Sequence, residues 1–183
     1  MSWKNSTLRY GAVSIALHWV MAVLMVGVYA CIELHEVYGR TPTGAMFENW
    51  HSMLGLSILV LVVVRLGLRL IQPTPTIMPP VVKWKHQLAT LMHVALLAFM
   101  LVMPVIGWVL LSAEGHDVMF FGLQLPALAS ADSAFADSVA EVHEVIGTLG
   151  YFLIGLHTAA ALFHHYITKD NTLVRILPHT NSR

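Results

Sequence analysis

The chain has 183 residues, 57% of them hydrophobic and 11% charged, with a mean hydropathy of +0.70. Soluble domains carry about a quarter charged residues, so this composition excludes an ordinary soluble enzyme and predicts an all-α integral membrane protein. A formal net charge of zero leaves no basic surplus for nucleic acid, and the single cysteine, Cys31, excludes an intrachain disulfide.

Four apolar runs are long enough to cross a hydrocarbon core of about 30 Å. They cover Gly11–Ile32, Trp50–Ile71, Leu88–Leu111 and a last segment from His143 to Ile167, whose continuous apolar part begins at Val145. The expected fold is a single-domain four-transmembrane-helix bundle over residues 1–183. Basic residues favour cytoplasmic loops. With four spans, every Lys and Arg except Arg40 falls on one side, and every Asp and Glu except Asp170 on the other. Both termini are then cytoplasmic.

Residues 1–10 are a short polar lead-in that puts Arg9 and Tyr10 at headgroup level. The first run carries His18, about two turns inside the cytoplasmic boundary, followed by Trp19. Lys4 and Arg9 ahead of an apolar run ending at Tyr29-Ala30-Cys31 loosely resemble a signal sequence. The run is long for a signal and Tyr29 is bulky, so it is read as a retained helix. The segment from Glu33 to Asn49, with Gly39, Pro42 and Gly44, is expected to be an external loop holding Arg40.

The second run opens with Trp50 and His51 at the outer surface, and Gly55 lets a flat cofactor or a neighbouring helix approach closely. Arg65 and Arg69 lie one turn apart at its inner end. They snorkel to lipid headgroups, pair with carboxylates of a cofactor or hold a quinone headgroup. The proline-rich stretch IQPTPTIMPPVVKWK ends this helix. The third run has His86 at its entrance and His93 two turns deeper, with Pro104 and Gly107 loosening its outer half. The connection from Ser112 to Ala140, with Phe120, Phe121, Leu123 and Leu125, either lies on the membrane surface or forms a lid over the outer end. His116 is a solvated loop residue. His35 and His179 flank the spans without a role, and the ten methionines are dispersed as packing residues.

The fourth run carries the strongest signal. His143 and His157 are 14 residues apart, which on a helix is a rise of about 21 Å and about four turns less roughly 40°. Both imidazoles face one side, one near each membrane surface. Ionisable side chains inside a span mark function, and two on one face point to two cofactors stacked across the bilayer. Haem fits, because two neutral imidazoles fill both axial positions of an iron and make it an electron carrier rather than a gas binder. There is no C-x-x-C-H motif for covalent attachment. At the outer level, His51 and His143 are the available pair. At the inner level, His157 pairs with His18 or with His93, and depth alone leaves the choice open. His164 and His165 follow as interfacial anchors or, for His164, as part of a quinone pocket.

The motifs SIALHWV, HSMLGLSILVLVVVRLGLRL, MPVIGW and GYFLIGLHTAAALFHHYITKDNTLVRILP resemble those of the bacterial cytochrome b561 family, over essentially the whole chain. The resemblance implies a membrane cytochrome with two haem b groups. It extends to the cytochrome b subunits of formate dehydrogenases and hydrogenases, whose haems are ligated from helices one and four and from helices two and four. Carried onto this chain, that implies His18 with His157 and His51 with His143 as axial ligands of the haem iron. His93 is then left beside the inner haem, as a polar or proton-handling wall of a quinone pocket, with His164 the other residue for that pocket.

Two functions compete. In one, the chain is a superoxide:quinone oxidoreductase of the kind the family includes, oxidising superoxide outside and reducing ubiquinone in the membrane. The acidic outer side repels an anion, so Arg40 must compensate. In the other, the chain is the cytochrome b subunit of a larger dehydrogenase and relays electrons from a protein donor docked on its outer face. A cofactor-free structural or lipid-binding bundle is the bland alternative.

Overall fold

A computed structural model describes residues 2–80 and 82–178; His179 and Arg183 lie outside the described residues. Four helices run through it: α1 (Ala12–Tyr38), α2 (Pro42–Ile71), α3 (Lys83–Ala113) and α4 (Ser133–Phe163). All four are long and apolar enough to cross a membrane. At about 1.5 Å per residue, 27 to 31 residues make helices of about 40 to 47 Å. Each therefore projects beyond the hydrocarbon core.

The projecting ends replace the expected external loop from Glu33 to Asn49. Helix α1 continues to Tyr38, where Gly39 (φ +55°) turns the chain and its N–H bonds the His35 carbonyl at 2.7 Å. The hydroxyl of Thr41 then accepts the Gly44 N–H at 3.2 Å, and Pro42 occupies the first turn of α2. A hydroxyl N-cap with proline at the first helical position starts a helix efficiently. Helix α4 begins ten residues before His143, where the Asp132 carboxylate caps the Phe135 N–H at 3.0 Å.

The lipid-facing surface inverts the pattern of a soluble protein. Val23, Val26, Leu149, Phe152 and Leu156 are exposed, and among the described residues the buried cluster is Met21, Ile58 and Val62, with Leu24, Val28, Leu97 and Met100 around it. That cluster joins α1, α2 and α3. Helix α4 packs on α3, but none of its Cα atoms comes within 8 Å of one in α1 or α2. A gap therefore runs the length of the bundle between α4 and the α1/α2 pair.

Side chains cross that gap at its middle. The Tyr29 hydroxyl donates to the Gly147 carbonyl at 2.8 Å, and its ring lies against that of Tyr151 with centroids 4.2 Å apart. Tyr151 in turn donates to Glu33 at 2.5 Å. Gly150 is fully packed, because a Cβ there would overlap the Tyr29 hydroxyl and the Phe99 ring. Tyr29 is thus a pillar that divides the gap into two chambers.

At the end away from the termini, residues 118–125 form an antiparallel hairpin, β1 (Val118–Phe120) with β2 (Leu123–Leu125). Its turn residues Phe121 and Gly122 both have positive φ, 47° and 85°, as a two-residue hairpin turn of the primed type requires. The rest of the connection is tied to the end of α3. Trp108 donates to the Pro126 carbonyl at 3.0 Å, and the Leu128 N–H reaches the Ser112 hydroxyl at 3.1 Å.

At the terminal end, three distant segments knit into a cap. Asn5 bonds Gln72 and Pro73, Thr76 bonds the Thr7 carbonyl, and Asn171 bonds Met78 through both backbone and side chain. Helix α4 enters this cap through a five-residue π-helical turn, His164–Thr168.

Candidate functional site

Histidines from different helices meet at two levels of the gap. Near the hairpin end, the His51 and His143 ring centroids are 6.1 Å apart with planes at 72°. Nδ1 of His51 sits 2.9 Å from the Val28 carbonyl of α1. A carbonyl only accepts, so Nδ1 carries the proton and Nε2 keeps its lone pair for a metal. His143 leans towards α3, where a Cβ at Gly107 would stand 3.3 Å from its Nε2. Glycine there leaves that nitrogen clear. One turn along α2 from His51, a Cβ at Gly55 would meet no protein atom within 4 Å, so the space beside the ring is open.

Nearer the termini, three histidines gather. The His93 and His157 centroids are 5.6 Å apart with planes at 81°, and Nδ1 of His93 bonds the Ala89 carbonyl of its own helix at 2.5 Å. His18 lies close enough to both for their charges to interact. The Trp19 ring packs against it at 5.4 Å, and the Trp19 indole donates to the Ile176 carbonyl at 2.8 Å. Among the described residues no three His, Cys, Asp or Glu side chains converge as a metal cage, so these three do not share one bare ion. Arg65 faces the group, with its charge reaching His18, His93 and His157, whereas Arg69 is exposed.

These residues fit a haem. A metal–imidazole bond of about 2 Å, plus roughly 1 Å from nitrogen to ring centre, puts two axial imidazoles about 6 Å apart. The outer pair has that spacing across the gap between α2 and α4. His18 and His157 stand on α1 and α4, on opposite sides of the same gap. His93 and His157 are also close, but they stand on helices packed backbone to backbone.

The remaining predicted residues lie apart from the two clusters. Arg40 is exposed in the turn between α1 and α2, and the charges acting on His51 come from Glu48 and His35 instead. His35, given no role by the sequence, is in α1 and its ring bonds the Gly44 carbonyl at 3.1 Å. His164 sits in the cap, where its Nδ1 donates to Asp170 at 2.5 Å. Burial alone pushes the Asp170 carboxyl up, but the hydrogen bonds from His164 and the Thr172 N–H hold it below its ordinary value. His116 is exposed, 3.3 Å from Glu114.

Sequence reasoning missed Tyr29, Tyr151 and Arg175. Only Arg175 left a trace, as a lone cation inside the apolar run LVRIL.

The family model for prokaryotic cytochrome b561 matches residues 9–179. The chain is 33% identical over 171 residues to cytochrome b561 homolog 1 of Escherichia coli K12, covering 93% of this chain and 97% of that protein. It is 33% identical over 174 residues to the probable superoxide oxidase CybB of Yersinia pestis, covering 93% and 96%. It is 29% identical over 190 residues to cytochrome b561 homolog 2 of E. coli K12, covering 100% and 98%. Members of the matched family bind haem b and transfer electrons across the membrane. With four membrane-crossing helices and a match over nearly its full length, this chain belongs to the prokaryotic cytochrome b561 family, as a multi-pass protein of the bacterial inner membrane.

Proposed function

We propose that this chain oxidises superoxide at the face opposite its termini and reduces ubiquinone in the bilayer, with one haem b held by His51 and His143 and a second by His18 and His157. The observation that carries this reading is the pair of histidine clusters at two levels of one gap, separated by Tyr29. Two superoxide anions each lose an electron to become dioxygen, and one quinone gains two electrons and two protons to become quinol. When bound, the haems supply the one-electron steps between these reactions.

The protein's own groups do the rest. The Val28 carbonyl keeps the His51 tautomer that presents Nε2. Arg40 is an exposed cation of the outer face, and the uneven distribution of Lys and Arg supports a periplasmic position for that face and a cytoplasmic one for both termini. On the inner side, His93 and His164 are the proton-handling residues for quinone. Asp170 holds Nδ1–H of His164 and leaves its Nε2 to exchange a proton. An apolar cleft of about 350 Å³ between α3 and α4, lined by Ala95, Phe99, Val102, Ile146 and Leu153, suits a lipid or prenyl chain.

A second reading draws on the exposed acids Glu33, Glu36, Glu48, Glu114 and Asp117 at the outer end. They suit a basic protein donor, which would make the chain a relay subunit passing electrons to the quinone pool. Mixing the oxidised protein with a superoxide source and following its absorption separates the two. Fast reduction that superoxide dismutase abolishes and quinone reverses supports the oxidase. A spectrum that stays oxidised under superoxide, yet reduces with dithionite, refutes it in favour of the relay.

A further inference from the structure

The cap encloses a charge that no described residue neutralises. Arg175 is 7% exposed. Its Nη1 donates to the Pro75 carbonyl, and its guanidinium lies 5.9 Å from the centre of the Tyr10 ring. Its buried Nε has no hydrogen-bond partner. Among the described residues no Asp or Glu forms an ion pair with it, and Asp170, the acid of the same segment, is committed to His164 and the Thr172 N–H.

A buried guanidinium without an anion is strongly unfavourable, and a buried N–H without an acceptor adds to that cost. Such a group is retained where an anion from outside the chain completes it. The surroundings locate that anion. Ile176, the residue after Arg175, accepts the indole N–H of Trp19, whose ring packs against His18, and the Tyr10 ring beside the guanidinium belongs to the segment that leads into the helix carrying His18. Arg175 thus stands beside the terminal-side chamber.

We infer that Arg175 binds a carboxylate of the inner haem, its Nε–H donating to a propionate while Nη1 stays anchored on Pro75. Guanidinium is suited to this task because its donors form a planar fork that matches a carboxylate and it remains charged when buried. The same contact ties haem retention to the cap, since the cation is delivered by the C-terminal segment and oriented by the α2–α3 connection. The assignment rests on the two-haem reading above.

The test is a redox titration of purified wild type, Arg175→Gln and Arg175→Lys, with haem counted per chain and the inner haem identified as the one lost in His18→Ala. Removing the cation beside a propionate should disfavour the reduced form about tenfold, a fall of about 60 mV for one electron, in the inner haem alone. Arg175→Lys, which keeps the charge without the fork, should shift it less and serves if the glutamine variant does not accumulate. Two haems with unmoved potentials in either variant overturn the assignment. It is equally overturned if Arg175→Gln sheds tightly bound phospholipid while both potentials stand, because the guanidinium then serves a headgroup. A wild-type chain that purifies without haem defeats the two-haem reading instead.

Discussion

Gly150 offers the sharpest test of the pillar between the two chambers. An added Cβ would overlap the Tyr29 hydroxyl and one edge of the Phe99 ring, whose Cε2 would lie at 2.8 Å. Gly155, five residues on in the same helix, has no atom within 4 Å of the corresponding position. Glycine to alanine raises helix propensity equally at both sites, so the difference between Gly150→Ala and Gly155→Ala isolates the clash. Overpacking costs about 1 to 3 kcal/mol, and loss of the Tyr29–Gly147 bond in lipid adds about 0.6 to 1.7 kcal/mol. Gly150→Ala should therefore be less stable than Gly155→Ala by about 2 to 5 kcal/mol. The assay is reversible unfolding in mixed micelles under increasing SDS, followed by helicity and by haem absorption. Tyr29→Phe in the Gly150→Ala background should recover part of the loss by removing the hydroxyl. Equal stability of the two alanine variants would refute the packing described for α1, α3 and α4.

Three further outcomes are expected. His18→Ala should lose the inner haem and keep the outer one, while His93→Ala keeps both; haem counts showing the reverse would move the axial position to α3. Arg40→Glu should slow superoxide-driven haem reduction several-fold at low ionic strength without altering the spectrum, and an unchanged rate removes Arg40 from superoxide entry. The Asp170 carboxyl is held below its ordinary pKa of 3.8, so its contribution to stability is complete above that value and disappears as pH falls through the lower folded-state pKa. Thermal unfolding in detergent should show that acid-dependent loss in wild type and a smaller one in Asp170→Asn, and parallel profiles would show that the His164 contact contributes nothing.

The four helices and the outer histidine pair were legible because both rest on periodicity and length. Fourteen residues between His143 and His157 fix a common face on any straight helix, and His51 has only one partner at its depth. Depth failed at the inner level because His18, His93 and His157 share it. The structure adds the gap beside α4, with His18 across it from His157 and His93 on the adjoining helix, a property of packing that no single helix encodes. The ends of α2 and α4 were missed because the expectation followed hydrophobicity, which stops at the membrane surface, whereas Thr41-Pro42 and Asp132 carry the starting signals outside it. The hairpin escaped because its turn is Phe-Gly rather than the more favourable Asn-Gly. The cap escaped because it is held by side-chain amides of Asn5 and Asn171 across long sequence separations, and such bonds leave no repeating pattern.

The cap also sets a schedule for making the protein. Its hydrogen bonds join Asn5 to Gln72, Thr7 to Thr76 and, last, Met78 and Pro75 to Asn171 and Arg175. The first two can form once two helices are inserted, but the others await the segment that follows α4. Translation proceeds from the N-terminus, so all of His18, His51, His93, His143 and His157 reach the membrane before the cap closes. During that interval the inner chamber is open on the side of the cap, and docking of the segment that carries Asn171 and Arg175 is the event that shuts it.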